Sequence, residues 1–303
     1  MDPASQAGLQ FLERILVLMD KIRVSSPAKV NLFLKVLRKR KDGYHQILSW
    51  IQLVDLEDRI EIERTERGIK IACDHPGVPT GKSNLAYRAA QVFLMQSKIK
   101  SGVRIKLKKK IPVAAGLGGG SSNAASVLYG LNRLLGNQLS ASKILSLART
   151  LGSDVPFFLS FGSGLASGRG EIVRSIKLPL NYRLVLVNPG FEVSTRWAYS
   201  KVKPGNIFPQ KVLKLKRVTF RQMLSIAREI GNDLESVVEQ KYPVIKLMVQ
   251  KLYEQGALHA AMTGSGPTVF GIFTDKAKAL GAAKGLRQGN SWRTWVATPI
   301  RRR

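Results

Sequence analysis

Pro112-Val113-Ala114-Ala115-Gly116-Leu117-Gly118-Gly119-Gly120-Ser121-Ser122 runs directly into a helical pattern at Asn123-Ala124-Ala125, and the reading of that junction decides the fold. Four glycines let the backbone pass close to a ligand. Successive N–H groups converge on anionic oxygens, and the helix that follows points its positive end at the same place. The junction therefore reads as an anion cradle, with a flexible loop ahead of a helix as the plainer alternative. The charge pattern agrees with the cradle. No Asp or Glu occurs from His75 to Ser153, while Lys106, Lys108, Lys109 and Lys110 crowd just upstream of the glycines. Lys106 and Lys108 also fit the solvent face of an alternating strand, Val103-Arg104-Ile105-Lys106-Leu107-Lys108.

Three well-known phosphate loops do not fit. A Walker-type loop at Gly81-Lys82-Ser83 would need a glycine where Pro76 stands. A dinucleotide fingerprint forced onto Gly116-Leu117-Gly118 puts Ser121 at the third glycine, and no acidic residue follows before Asp154. A protein-kinase glycine loop belongs to a hairpin, and its companion Asp-Phe-Gly and His-Arg-Asp elements are missing.

Upstream of the cradle, strand-like runs at Val30–Val36 and Arg59–Glu63 flank a turn signal, Lys41-Asp42-Gly43. Leu85, Ala89, Val92 and Phe93 then recur at helical spacing over Asn84–Met95, with Ser83 as the expected cap. Downstream, Ala124, Leu128, Leu131 and Leu135 predict a helix over Asn123–Leu135 that stops at Gly136. A second helix starts at the cap Ser140 and ends at Gly152, which places Asp154 just beyond a helix terminus. From Tyr182–Val187 onward, strands (Thr268–Phe273, Thr294–Thr298) mix with helices (Arg221–Ile230, Val244–Gln255, Lys276–Arg287). This order argues α+β rather than a purely parallel sheet.

At 303 residues the chain exceeds one average domain, so two are expected: residues 22–178 and 179–303, after an extension over 1–21 in which Met19 is a sensible alternative start. The best apolar run near the start, Ile15–Met19, is far below the roughly 20 residues a membrane span requires. A single cysteine, Cys73, precludes an internal disulfide, and three scattered histidines suggest no structural zinc site. A reducing cytoplasm is expected. The net charge of +29 calls for polyanionic ligands or surfaces, or reflects a basic proteome. It raises a nucleic-acid-binding reading, but the basic residues are spread along the chain and no standard reader motif occurs.

The residues resemble the GHMP kinases, the family named for galactokinase, homoserine kinase, mevalonate kinase and phosphomevalonate kinase. Three family motifs stand in order: Pro27-Ala28-Lys29-Val30-Asn31-Leu32, the glycine-serine loop, and Gly264-Ser265-Gly266-Pro267. Asp42-Gly43-Tyr44-His45 and Asp154-Val155-Pro156-Phe157-Phe158 sharpen the match toward the branch acting on a cytidine diphosphate-linked methylerythritol; homoserine- and mevalonate-type kinases are the alternatives. The resemblance covers roughly residues 22–300. It implies a two-domain α+β fold, an N-terminal ribosomal-protein-S5-domain-2-like unit and a C-terminal ferredoxin-like sandwich, with the active site between them.

It further implies ATP-dependent phosphorylation of the acceptor's 2-hydroxyl in non-mevalonate isoprenoid synthesis. Lys29 and Asp154 are the implied catalytic pair. The loop Pro112–Ser122 and Asn84 are the implied ATP contacts, although Asn84 also suits a helix cap. Asn31, Tyr44, His45, Thr195 and Tyr199 are the implied substrate contacts, the aromatic rings serving the pyrimidine. Magnesium is expected with ATP, held mainly by phosphates near Ser121 or Ser122. The expected partner is a small-molecule substrate, not a specific nucleic acid or a membrane, and the chain is expected to be a monomer or weak homodimer.

Overall fold

The computed structural model describes residues 17–18, 20–160, 162–205 and 210–301. Two long antiparallel strands, β2 (Lys21–Lys39) and β3 (His45–Thr65), form the spine of the first sheet. β1 (Val17–Leu18) pairs with Lys21 and Ile22, so described residues of the expected extension join the sheet; residues 1–16 and 19 lie outside the description. β4 (Ile69–Cys73) runs parallel to β5 (Gly102–Lys108), and the order is β1-β2-β3-β5-β4. The first half of β3 pairs instead with β6 (Ser163–Ser167), which carries β7 (Ile172–Ser175). In β5, Lys106 and Lys108 occupy the exposed face of the alternation.

β2 is buried at every position from Ser26 to Leu34, so both of its faces are covered. Ala28, Val30 and Leu32 pack with Leu184, Leu186 and Phe270 of the second sheet in a shared core. Because side chains alternate along a strand, Lys29 and Asn31 point to the opposite face. The register of β2 on β3 shifts at Pro27/Ala28 and again at Asn31/Phe33, and such irregularities re-aim side chains. A second core lies between the sheet and its helices, α1 (Leu85–Ser97), α2 (Gly119–Leu134), α3 (Ala141–Leu151) and α4 (Val155–Ser160).

The second sheet is antiparallel throughout, in the order β11 (Arg293–Ala297), β8 (Arg183–Asn188), β10 (Val269–Phe273), β9 (His259–Met262). Its first and second strands are separated by α5 (Thr195–Lys201), α6 (Gln210–Leu213), α7 (Phe220–Ile230), α8 (Glu235–Lys241) and α9 (Val244–Glu254), and its third and fourth by α10 (Lys276–Arg287). The fourth-first-third-second strand order is the ferredoxin-like arrangement expected, and the α+β class holds. The last described residues return to the first sheet: Ile300 N donates to Leu53 O at 2.9 Å and Asp55 N donates to Thr298 O at 3.0 Å. Among the described residues no helix is long and apolar enough to cross a membrane.

Two local expectations are corrected. The helix after the glycines begins at Gly119, not Asn123, so Gly119 to Ser122 form its first turn. Glycine's poor helix propensity hid this, and tertiary packing overrides it. The cap of α1 is Asn84 rather than Ser83.

Candidate active site

Gly118 makes the cradle possible. It sits in the left-handed region (φ 69°) as the N-cap of α2, with no side chain capping the helix. The first helical bond is Ser122 N to Gly118 O at 2.9 Å, so the amides of Gly119, Gly120 and Ser121 precede the ladder and carry the positive end of α2. Each glycine has its own reason. A Cβ on Gly118 would come within 2.9 Å of Phe158 and 3.0 Å of the Lys29 stem, whereas one on Gly120 would meet nothing nearer than Leu85 at 3.8 Å. On Gly116 (φ 75°) it would lie 2.2 Å from Thr263 O, which fixes the loop against the turn Gly264–Gly266.

The start of the loop is pinned by Asp58, a fully buried carboxylate that sequence reading missed. Its Oδ1 accepts from Lys110 N (2.8 Å) and Ile111 N (2.9 Å), and its Oδ2 accepts from Asn123 Nδ2 (2.9 Å) and from the Lys109 ammonium. Four donors compensate its loss of water. Ser122 turns into the same network, receiving a hydrogen bond from Ser26 at 2.8 Å, and is buried together with Leu117. Of the eleven loop residues, those two alone do not line the cleft. Ser121 does.

The cleft encloses about 930 Å³ between the two sheets' helices and loops. Lys29 lies on its wall, 5% exposed, tethered by a backbone bond from its N to Leu117 O at 3.0 Å. Its ammonium bonds Asn31 Oδ1 and stands 3.8 Å from Asp154 Oδ2. Burial holds the Lys29 pKa below the ordinary lysine value, and the charge of Asp154 opposes that fall. Asn31 is oriented by a bond from its Nδ2 to Ser49 Oγ at 2.7 Å, which turns its carbonyl oxygen toward Lys29. Asp154 hangs between Gly152 and α4, its side chain more than a third exposed to the cleft.

Tyr44, His45, Thr195 and Tyr199 border the same cleft. The rings of His45 and Tyr199 stack at 5.6 Å, too close to admit a base between them. A planar ligand ring could therefore stack only on an outer face of the pair. Tyr44 is exposed and carries the Arg169 guanidinium 4.8 Å above its ring. Burial and neighbouring Lys39 push the His45 pKa down, so its imidazole is neutral at pH 7. Burial first, then Asp154, push the Tyr199 phenol up. Thr195 Oγ1 bonds Ser265 Oγ at 2.8 Å. Asn84, which borders the cleft, is largely spent on structure: its Oδ1 accepts from Ala86 N (2.8 Å) and its Nδ2 donates to Pro79 O (2.6 Å).

Residues 84–168 match the GHMP kinases N terminal domain and residues 212–290 match GHMP kinases C terminal. Among curated proteins, a 4-diphosphocytidyl-2-C-methyl-D-erythritol kinase of Geobacter sulfurreducens is 43% identical over 93% of this chain and 99% of its own. The chain belongs to the GHMP kinases. A kinase of the same description from Caldanaerobacter subterraneus is 45% identical over 88% of this chain and 93% of its own. A crystal structure of 4-(cytidine 5'-diphospho)-2C-methyl-D-erythritol kinase superposes with a TM-score of 0.76 at 35% identity, covering 91% of this chain and 98% of that one. Homoserine kinase from Cytophaga hutchinsonii shares the fold at 20% identity, with a TM-score of 0.72 and coverage of 95% and 97%. As a GHMP kinase, the chain is an ATP-dependent phosphotransferase.

Proposed function

We propose that this kinase transfers the γ-phosphoryl group of ATP to the 2-hydroxyl of 4-diphosphocytidyl-2-C-methyl-D-erythritol, a step of non-mevalonate isoprenoid synthesis in the cytoplasm. The observation that carries the reading is the meeting, in one cleft, of the uncapped start of α2 with the Lys29–Asp154 pair and the His45–Tyr199 stack. The first-turn amides of α2 receive the β- and γ-phosphates. Lys29 neutralises charge on the migrating group, and Asp154 orients the acceptor hydroxyl and takes its proton. Orientation of the hydroxyl matters more than basicity when the transition state is loose and the proton leaves late.

Stacking on an aromatic face contributes about 1–3 kcal/mol toward the pyrimidine, and neutral His45 offers cytosine one polar edge. Asn31 and Thr195 supply polar contacts to the sugar alcohol. Magnesium enters with ATP, neutralising its phosphates. Its donors would be mainly phosphate oxygens and water, with Ser121 beside them. The test is ADP release and product phosphorylation with the cytidylated acceptor against homoserine and mevalonate. A preference for either competitor overturns the assignment.

A further inference from the structure

At the junction of α7 and α8, Asn232-Asp233-Leu234 and the first residue of α8, Glu235, touch both walls of the cleft without lining it. On one side they grip β2 just past Asn31. Leu34 N donates to Gly231 O at 2.9 Å, and Asp233 N donates back to Leu34 O at 2.9 Å. The Asp233 carboxylate accepts from Val36 N at 2.7 Å and pairs with the Lys35 ammonium at 3.1 Å. On the other side they grip the end of β9 and the turn beyond it. Asn232 Nδ2 donates to Met262 O at 2.7 Å and to Gly264 O at 2.9 Å, and Glu235 accepts from Met262 N. The Asn232 amide is fully committed, because its Oδ1 accepts from Leu234 N at 3.0 Å.

What this segment joins is the chemistry. The turn that Asn232 holds is the one against which Asn31 is set: Asn31 N donates to Thr263 Oγ1 at 2.8 Å, and a Cβ on Gly264 would lie 3.2 Å from Asn31 Oδ1. Asn31 in turn bonds the Lys29 ammonium. Gly116 of the phosphate cradle rests on Thr263 O. A displacement of the turn would therefore reach Lys29 and the glycine loop together.

We propose that Asn232 is a positioning residue for phosphoryl transfer, fixing the spacing between the strand that carries Lys29 and the turn that faces it across the cleft. It acts through Met262 O and Gly264 O and touches no substrate. The proposal rests on the kinase reading of this cleft, and its test separates the two: the parent enzyme's activity on the cytidylated acceptor judges the function, while the variant-to-parent ratio, with any acceptor alcohol the parent uses, judges the clamp.

The variants are Asn232→Ala, which removes both donors, and Asn232→Asp, which keeps the acceptor for Leu234 N but turns an oxygen toward the two carbonyls. Each is made in the full chain and checked by thermal unfolding and ADP calorimetry. A misplacement on the order of 1 Å costs roughly a hundredfold, so kcat per folded molecule is expected to fall ten- to hundredfold, with the ADP Kd within about threefold of the parent. A merely structural defect would weaken ADP binding along with turnover, so the split between kcat and the ADP Kd isolates the positioning role. Turnover within twofold of the parent in both variants, an ADP Kd that worsens as much as kcat, or failure of both to fold would overturn the proposal.

Discussion

Gly118 and Gly120 stand two residues apart at the start of α2, one as its N-cap and one in its first turn, yet alanine has opposite consequences at the two positions. At Gly118 an alanine meets two penalties. The left-handed backbone (φ 69°) costs a side-chain-bearing residue about 1–2 kcal/mol. Its methyl would also stand 2.9 Å from Phe158 and 3.0 Å from Lys29 Cγ, so both must yield by a few tenths of an ångström. Gly118→Ala should destabilise the protein by about 1–3 kcal/mol, lowering Tm by roughly 2–4 °C per kcal/mol. Because Lys29 is one of the two side chains that must yield, kcat should drop about tenfold or more.

At Gly120 the backbone is helical and the nearest atom would be 3.8 Å away, an ordinary contact. Gly120→Ala should leave stability unchanged or raise it by up to about 1 kcal/mol. Its methyl, however, enters the space assigned to phosphate, and ATP affinity should fall at least tenfold. Thermal unfolding of the ligand-free protein, calorimetry with ADP and ATP, and a coupled ADP-release assay measure all three quantities. An unchanged ATP affinity in Gly120→Ala would refute the placement of the triphosphate at the start of α2. Parental kcat in Gly118→Ala would refute the argument that its bare backbone sets the Lys29 position.

Three further outcomes can be checked. Asp154→Asn should cut kcat by about 10²–10⁴ while ADP still binds; near-parental turnover would remove the carboxylate from proton transfer. Tyr199→Ala should raise the acceptor KM by the equivalent of about 1–3 kcal/mol and leave the ATP KM alone, whereas equal effects on both would place the ring elsewhere in the reaction. Burial raises the Glu235 pKa from 4.5 to about 7, with Glu239 adding to the rise and the Met262 amide opposing it. The folded state thus holds a proton the unfolded state has lost, so this group's stabilisation is complete below pH 4.5 and fades as pH climbs through 7. Glu235→Gln, which keeps an acceptor for Met262 N, should remove that fall, gaining roughly 3 kcal/mol at pH 8. Denaturant melts across pH 5–8 would contradict this if parent and variant ran parallel.

Local signals made the outer frame legible. The strand-like run Val30–Val36 located the strand that carries Asn31, Ser140 and Gly152 bounded α3, and the glycine run announced an anion cradle. What stayed hidden depended on partners far along the chain. Asp58 sits in an alternating, charged run and looks like a surface acid, but Lys109 and Asn123 close over it from 51 and 65 residues away. Asn232-Asp233-Leu234-Glu235 follows a helix stop and carries no periodicity, so nothing nearby reveals that it spans two sheets. Short elements were lost for a different reason. α4 is too short and uniformly apolar for a helical period to show, and β9 reads His259-Ala260-Ala261-Met262, with none of the β-branched residues that mark a strand.

The return of Thr298 and Ile300 to β3 has a bearing on how the polypeptide matures. Gln52 donates to Gly162 O and Ile300 O from one amide nitrogen, and Thr298 N reaches Asp55 across 243 positions of sequence. At about 5–20 residues per second, translation leaves β3 waiting roughly 10–50 s for these closing contacts. The half of the chain that carries the glycine loop therefore emerges from the ribosome before its own sheet is sealed, and a fragment cut after α2 and its neighbours would lack these closing contacts.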